Sequence, residues 1–497
     1  MYHHFAKSFA NYVISKNQFW IKNPIKSQEK TLRWLLQSAQ KTLFGQQHSF
    51  QEINGYKEFN QAIPVRDYEK FKIYINRVVS GEADIIWPGK PIYLCKTSGT
   101  TSGIKYIPIF QNAIKTHINS ARNSILQYII NTGDTNFIQG KQIFIQGSPV
   151  LNSKNGVKFG RLSGIVAHHV PFYLKSSRMP SWDVNCIEDW EQKIDTIVEE
   201  TYNQDMTLIS GIPPWVQMYF EKIKQKSGKK IGDVFKNFSL FIYGGVSFKP
   251  YKKIFDELIG RKVNTIELYP ASEGFFAFQD QLDSDSMLLL LNNCIYYEFI
   301  KINDFLKGKN NYLSLSDVKL GENYALIIST SSGLWRYNTG DTIQFTEICP
   351  FRIIVTGRIK HFISAFGEHV IGKEVETTIR EISLKSKLKV REFTVAPQVN
   401  PKVGLPFHEW FIEFDEIYDN LEAIEVQMDS IMQKQNIYYK DLIQGKILSP
   451  LKITKIKKGG FNHYMKSIGK LGGQNKVPHL SNDRGIADKL LKHIMNQ

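Results

Sequence analysis

The sequence predicts an α/β fold: a large N-terminal domain built on βαβ sheets, followed by a smaller, mobile α+β C-terminal domain. Three observations carry this expectation. From Met206 onward, short runs rich in β-branched and aromatic residues (206–210, 238–243, 263–269) alternate with amphipathic stretches (215–224, 250–258), the rhythm of a parallel sheet with crossover helices. Earlier, two apolar runs at 92–95 and 104–110 flank a loop of small residues. Beyond residue 390, strands at 391–396 and 408–416 and a helix at 421–433 precede a stretch holding Gly459-Gly460, Gly469 and Gly472-Gly473. Those glycines suit a segment that moves.

Composition bounds what such a chain does. At 497 residues, 42% hydrophobic and 13% aromatic, it is long enough for two or three domains with their own cores. The net charge of +16 would suit nucleic acid, but the lysines are scattered, without a basic block or finger pattern. A solvated basic surface that also favours an anionic substrate is the expectation, with no nucleic-acid partner. The four cysteines, Cys95, Cys186, Cys294 and Cys349, are widely spaced and suggest neither a disulfide framework nor a metal site. With no apolar signal core and no run long enough to span a bilayer, a cytoplasmic protein without membrane insertion is expected, and a monomer.

In chain order, Ser27 is read as the cap of a helix reaching about Phe44, because Leu32, Leu35, Leu36, Ala39 and Leu43 share one face and Gly45 follows. A helix is expected at 113–130 and a strand at 141–146. His168-His169 resembles a paired-histidine acyltransferase motif, but Tyr173 stands where that motif needs aspartate. A structural or substrate-lining role follows, with Trp182 and Trp190 filling a core.

Four stretches carry the chemistry. TSGTTSGIKYIP at 97–108 combines hydroxyls, glycines and Lys105, which is what wrapping a phosphate requires. It lacks Walker A spacing, and a surface turn is the competing reading. Gly244-Gly245-Val246 and the Tyr269–Gly274 run YPASEG each lie just past an expected strand, where ligands bind in such sheets. There the glycines admit a flat base, and Glu273 offers a carboxylate to a phosphate-bridging magnesium ion; a plain turn at Gly244-Gly245 and a capping role for Glu273 are the competing readings. In YNTGD at 337–341, Asp341 follows a glycine at a strand kink, the kind of residue that accepts both ribose hydroxyls, or simply forms a turn.

Taken together and in this order, these motifs resemble the auxin-responsive Gretchen Hagen family of acyl acid amido synthetases, a branch of the adenylate-forming enzymes. GRIKHFISAFGEHV at 357–370 and QNKVPHLSNDR at 474–484 complete the likeness. The resemblance implies an N-terminal ATP- and acyl-binding adenylation domain at 1–357 and a mobile C-terminal domain at 358–497. It implies that Ser98, Gly99, Thr100 and Thr101 hold the phosphates of ATP and that Glu273 ligates Mg2+. It places Gly244, Gly245, Val246, Tyr269 and Ser272 around the nucleotide, Asp341 on the ribose and Arg358 at the hinge. Lys476 would come from the C-terminal domain to meet the reacting carboxylate. The implied reaction joins a carboxylic acid to an amine, an amino acid by expectation, through an acyl adenylate, releasing pyrophosphate and AMP.

Two departures stand out: His479 occupies the place of arginine in the family's Lys-x-Pro-Arg pattern, and His369 stands where plant members place lysine. The alternatives are a ligase that passes the acyl group to CoA or a carrier thiol, and a basic nucleic-acid-binding or inactive descendant.

Overall fold

The computed structural model describes all residues except 1, 99–103, 247, 250, 360–361, 364–369, 400, 417, 419, 445–447, 473–474, 482 and 496–497. The chain divides into two compact units. One holds Met1–Val246 and Leu258–Val355, and the other holds Ser247–Glu257 and Thr356–Gln497.

In the first unit, β1 (Tyr93–Ser98) and β2 (Ile104–Ile109) form an antiparallel hairpin. After β3 (Lys141–Ile145), the short strands β4 (Asn152–Lys154) and β5 (Val157–Gly160) complete a four-stranded sheet ordered β2-β1-β5-β4. Then β6 (Arg178–Met179), β7 (Met206–Gly211), β8 (Leu240–Gly244) and β9 (Asn264–Ala271) join β3 in parallel, in the order β6-β3-β7-β8-β9. Helices Trp190–Thr201 and Pro213–Ser227 lie between successive strands; helix Lys252–Ile259 follows β8 in the chain but lies mostly in the second unit. This is the βαβ arrangement that the alternating pattern predicts.

The same sheet then changes character. β10 (Gly274–Phe278), β11 (Met287–Leu289), β12 (Ile295–Lys301), β13 (Asn323–Thr330), β14 (Tyr337–Ile348) and β15 (Phe351–Arg358) extend it in the order β9-β10-β11-β15-β14-β13-β12. Pairing is antiparallel at β9-β10, β10-β11, β11-β15, β13-β14 and β12-β13. Antiparallel neighbours need no crossover helix; β12 and β13 are joined by a longer connection that holds the short helix Ile302–Leu306.

Three sequence readings are corrected. Ser27 lies inside helix Pro24–Ala39, which opens with a proline at its first position, where the missing N–H costs nothing. The helix ends at Ala39, and Leu43–Gln47 is a separate helix whose Gly45 N–H is capped by the Thr42 hydroxyl. A Cβ on Gly45 would lie 2.2 Å from Ala39 O, so this glycine permits a close approach of backbone. Trp190 is buried as expected, but Trp182 is 45% exposed, its ring edge-on to His168.

In the second unit, β16 (Phe362–Ile363) pairs with β17 (Val370–Ile371). β18 (Val390–Gln398), β19 (Phe407–Phe414) and β20 (Lys452–Ile456) form a sheet ordered β18-β19-β20. Residues alternate across β19: Trp410 and Ile412 face helices Gly372–Lys385 and Leu421–Gln435, and Phe411 faces helices Gly460–Ser467 and Gly485–Met495. The glycine-rich stretch thus contains a helix, and Gly459, Gly469 and Gly472 take positive φ around it.

Candidate active site

The change from parallel to antiparallel pairing is made by a turn of two residues. Ala271 pairs with Gly274, so Ser272 and Glu273 alone link β9 to β10, at the carboxyl edge of the parallel strands, where open α/β sheets bind ligands. Beside this turn, Gly244 ends β8 opposite Leu268. A Cβ there would come within 2.5 Å of Leu268 O, and Gly245 follows with φ of +82°. Gly244→Ala is therefore expected to displace the strand end and, if the segment holds the nucleotide as the resemblance implies, to weaken ATP binding at least tenfold, measured by ATP titration.

Asp341 arrives from the antiparallel half. The β13-β14 register breaks between Ala325 and Ile327, so that 339–341 bulge outward opposite Leu326. Gly340 takes φ of +80°, Thr339 Oγ1 donates to Leu326 O at 3.0 Å, and Asp341 N donates to Thr339 Oγ1 at 3.1 Å. A bulge of this kind re-aims a side chain. The Tyr269 hydroxyl donates to Asp341 Oδ2 at 2.7 Å, which joins the two halves of the sheet at the site.

The β1-β2 hairpin meets the same place. Cys95, fully buried in β1, donates through its thiol to Ser272 Oγ at 3.3 Å. Burial pushes this thiol up to about 12, so it stays protonated and serves as a donor, not a nucleophile. Tyr106 N donates to the Tyr68 hydroxyl at 3.0 Å, and Lys105 Nζ lies 4.9 Å from the centre of the Tyr68 ring. Ser98 ends β1 opposite Ile104. Gly99, Thr100 and Thr101 lie outside the described residues.

The first unit thus brings together Cys95 of β1, Gly244 at the end of β8, Tyr269, Ser272, Glu273 and Asp341. Arg358, at the end of β15, and Lys476 belong to the second unit, and both side chains are exposed. Among the described residues no group of three His, Cys, Asp or Glu could enclose a metal ion. A lone carboxylate at a turn fits magnesium that arrives on nucleotide phosphates, since that ion takes one or two protein carboxylates and keeps its remaining ligands from phosphate and water.

Sequence reading missed what holds the Asp341 bulge in place. Arg336 and Glu298 are each 1% exposed, with Arg336 Nε 3.0 and 2.9 Å from the two Glu298 oxygens. Arg336 Nη1 donates to Asn60 O and Ile63 O at 2.8 and 2.6 Å, and Asn338 N donates to Arg66 O at 2.8 Å. The available signal was an arginine directly before YNTGD, hidden because 333–345 reads as one strand. In the structure β14 begins only at Tyr337, and Arg336 has φ of +45°. The His168 and His169 rings bond to Pro149 O and the Tyr93 hydroxyl.

Three family models match the chain: the GH3 family N-terminal domain over residues 14–179, the central domain over 288–358 and the C-terminal domain over 371–485. The chain belongs to the GH3 family. Among GH3 relatives, the jasmonoyl–L-amino acid synthetase JAR4 of Nicotiana attenuata is 23% identical over 398 residues, covering 67% of this chain and 68% of its own. A putative indole-3-acetic acid-amido synthetase, GH3.9 of Arabidopsis thaliana, is 28% identical over 264 residues, 46% of this chain and 42% of its own. The fold matches the solved GH3.15 acyl acid amido synthetase with a TM-score of 0.80 at 15% identity, over 98% of this chain and 96% of that one. It also matches a 2-hydroxyisobutyryl-CoA ligase in its postadenylation state, at 0.60 and 12%, over 95% and 92%. No helix among the described residues is long and apolar enough to cross a membrane.

Proposed function

We propose that this GH3 protein is an ATP-dependent ligase that adenylates a carboxylic acid and passes the acyl group to the amine of an amino acid, releasing pyrophosphate and AMP. The observation that carries this reading is the convergence of Cys95 of β1, the Ser272-Glu273 turn and the Tyr269–Asp341 hydrogen bond at one sheet edge. In this reading Asp341, held by Tyr269, accepts the ribose hydroxyls, and Gly244 to Val246 leave a flat surface for adenine. The 98–101 segment wraps the phosphates, and Arg358 supports the ribose. Glu273 would hold magnesium with the phosphates, and the ion would supply positive charge there.

A carboxylate attacking the α-phosphate needs orientation and neutralisation of the phosphoryl charge more than covalent help. Lys476 supplies that charge in the first half-reaction. The amine then attacks the acyl carbonyl and displaces AMP, losing a proton to leave the amide. The names of the relatives favour amide formation over thioester formation as the second step.

The test is incubation with ATP, Mg2+ and a panel of probe acids that includes jasmonic and indole-3-acetic acid, with amino acids or CoA, followed by mass spectrometry. Amide products are expected; thioesters alone, or no pyrophosphate release with any acid, would overturn the proposal. Tyr269→Phe removes one hydrogen bond to Asp341. It is expected to raise the KM for ATP roughly ten- to a hundredfold with kcat little changed, since a hydrogen bond to a charged group contributes about 1.5–3 kcal/mol.

A further inference from the structure

The second unit contains a half-buried charge cluster around His479, three residues after Lys476. The His479 ring, 9% exposed, sets Nδ1 3.1 Å from Glu376 Oε1 and Nε2 3.2 Å from Glu392 Oε1. It stacks on Phe393 at 4.2 Å between ring centres. The backbone around it is fixed to β18: Val395 N donates to His479 O at 3.0 Å, Ser481 N to Val395 O at 2.9 Å, and Thr394 Oγ1 to Pro478 O at 2.6 Å. Glu392 is itself engaged, accepting from the Tyr251 hydroxyl at 3.2 Å and from Phe393 N at 3.0 Å.

Lys476 lies among residues 475–478, which have no regular secondary structure and lead into this pinned segment. We infer that His479 is a positioning residue, a charged clasp between Glu376 and Glu392 that seats the Lys476 segment against β18. The inference rests on the reading of Lys476 as the residue that meets the reacting carboxylate.

The clasp needs both ring nitrogens to carry protons, because both face carboxylate oxygens. The groups facing the ring are Glu376 from helix Gly372–Lys385, Glu392 and Phe393 from β18, and, through Glu392, the Tyr251 hydroxyl. The two glutamates hold the imidazolium up to about 9, against the effect of burial. A raised value in the folded state means that the stabilisation is complete below the ordinary histidine range near 6.5 and is lost as pH rises through about 9. Arginine, charged at all these pH values, would keep the clasp closed.

Trypsin cleavage after Lys476 in the full-length protein, read by mass spectrometry of the fragment beginning at Val477, tests the inference. Wild type is expected to resist at pH 7 and to be cleaved at least tenfold faster at pH 10, relative to a free peptide of the same sequence. His479→Gln is expected to be cleaved at pH 7 as fast as wild type at pH 10, and His479→Arg to resist at both. Equal resistance of wild type and H479Q at pH 7, or loss of protection in H479R, would overturn the clasp. If H479Q loses its circular dichroism signal, E376Q takes its place: faster cleavage after Lys476 at pH 7 supports the clasp, and an unchanged rate overturns it. Lys476→Ala, assayed for pyrophosphate release, tests the underlying reading separately. A fully active K476A would remove the catalytic role while the cleavage pattern still reports on the clasp.

Discussion

Replacing Lys476 by alanine is expected to slow ATP-dependent pyrophosphate release by roughly two to three orders of magnitude, the usual cost of removing one stabilising donor from a charged transition state. The side chain is exposed on a segment without regular structure, so unfolding by urea should be nearly unchanged. Amide formation from a synthetic acyl adenylate should also be nearly unchanged, because attack of an amine on a mixed anhydride no longer builds charge on the β- and γ-phosphates. Loss of both half-reactions in equal measure would point instead to a structural role for the segment.

The second large effect concerns stability. Glu298→Gln leaves the Arg336 guanidinium buried without its counter-charge, at an expected cost of about 3–5 kcal/mol. Burial pushes the Glu298 carboxyl up, and Arg336 pulls it back down. The loss should appear as a lower midpoint of the earliest urea transition, and KM for ATP should rise with it, because Arg336 also anchors the strand that carries the Asp341 bulge. Replacing both residues by methionine should recover much of the stability, since two apolar side chains of similar length remove the unpaired charge. Equal destabilisation by the single and the double replacement would show that the pair matters for shape and not for charge.

Much of the parallel half of the sheet was legible because its signals are local. The runs at 206–210 and 263–269 announce strands by composition, and Gly244-Gly245 and YPASEG mark their ends. The strands flanking the TSGTTSG loop were equally plain. The antiparallel half was legible as strands but not as a sheet, because its order depends on pairings such as Met287 with Ile353, which no local pattern encodes. The Asp341 bulge was foreshadowed by Gly340, whereas the direction of the aspartate is set by Tyr269, 72 residues earlier. His479 was visible only as a departure from a motif; its meaning depends on Glu376 and Glu392, 103 and 87 residues away. Trp182 was misread because indole content suggests a core, and only tertiary contacts decide which rings are covered.

Residues 247–257 have a practical consequence for dissecting the protein. They follow Gly244 to Val246 directly, yet they pack with the C-terminal unit: Tyr251 is 2% exposed against Glu392, and Glu257 pairs with Lys389 at 3.1 Å. A chain cut after Val355 would keep this insert and lose its partners, leaving the buried Tyr251 without Glu392 and Glu257 without Lys389. Such a fragment should be sticky and poorly soluble however sound its own sheet.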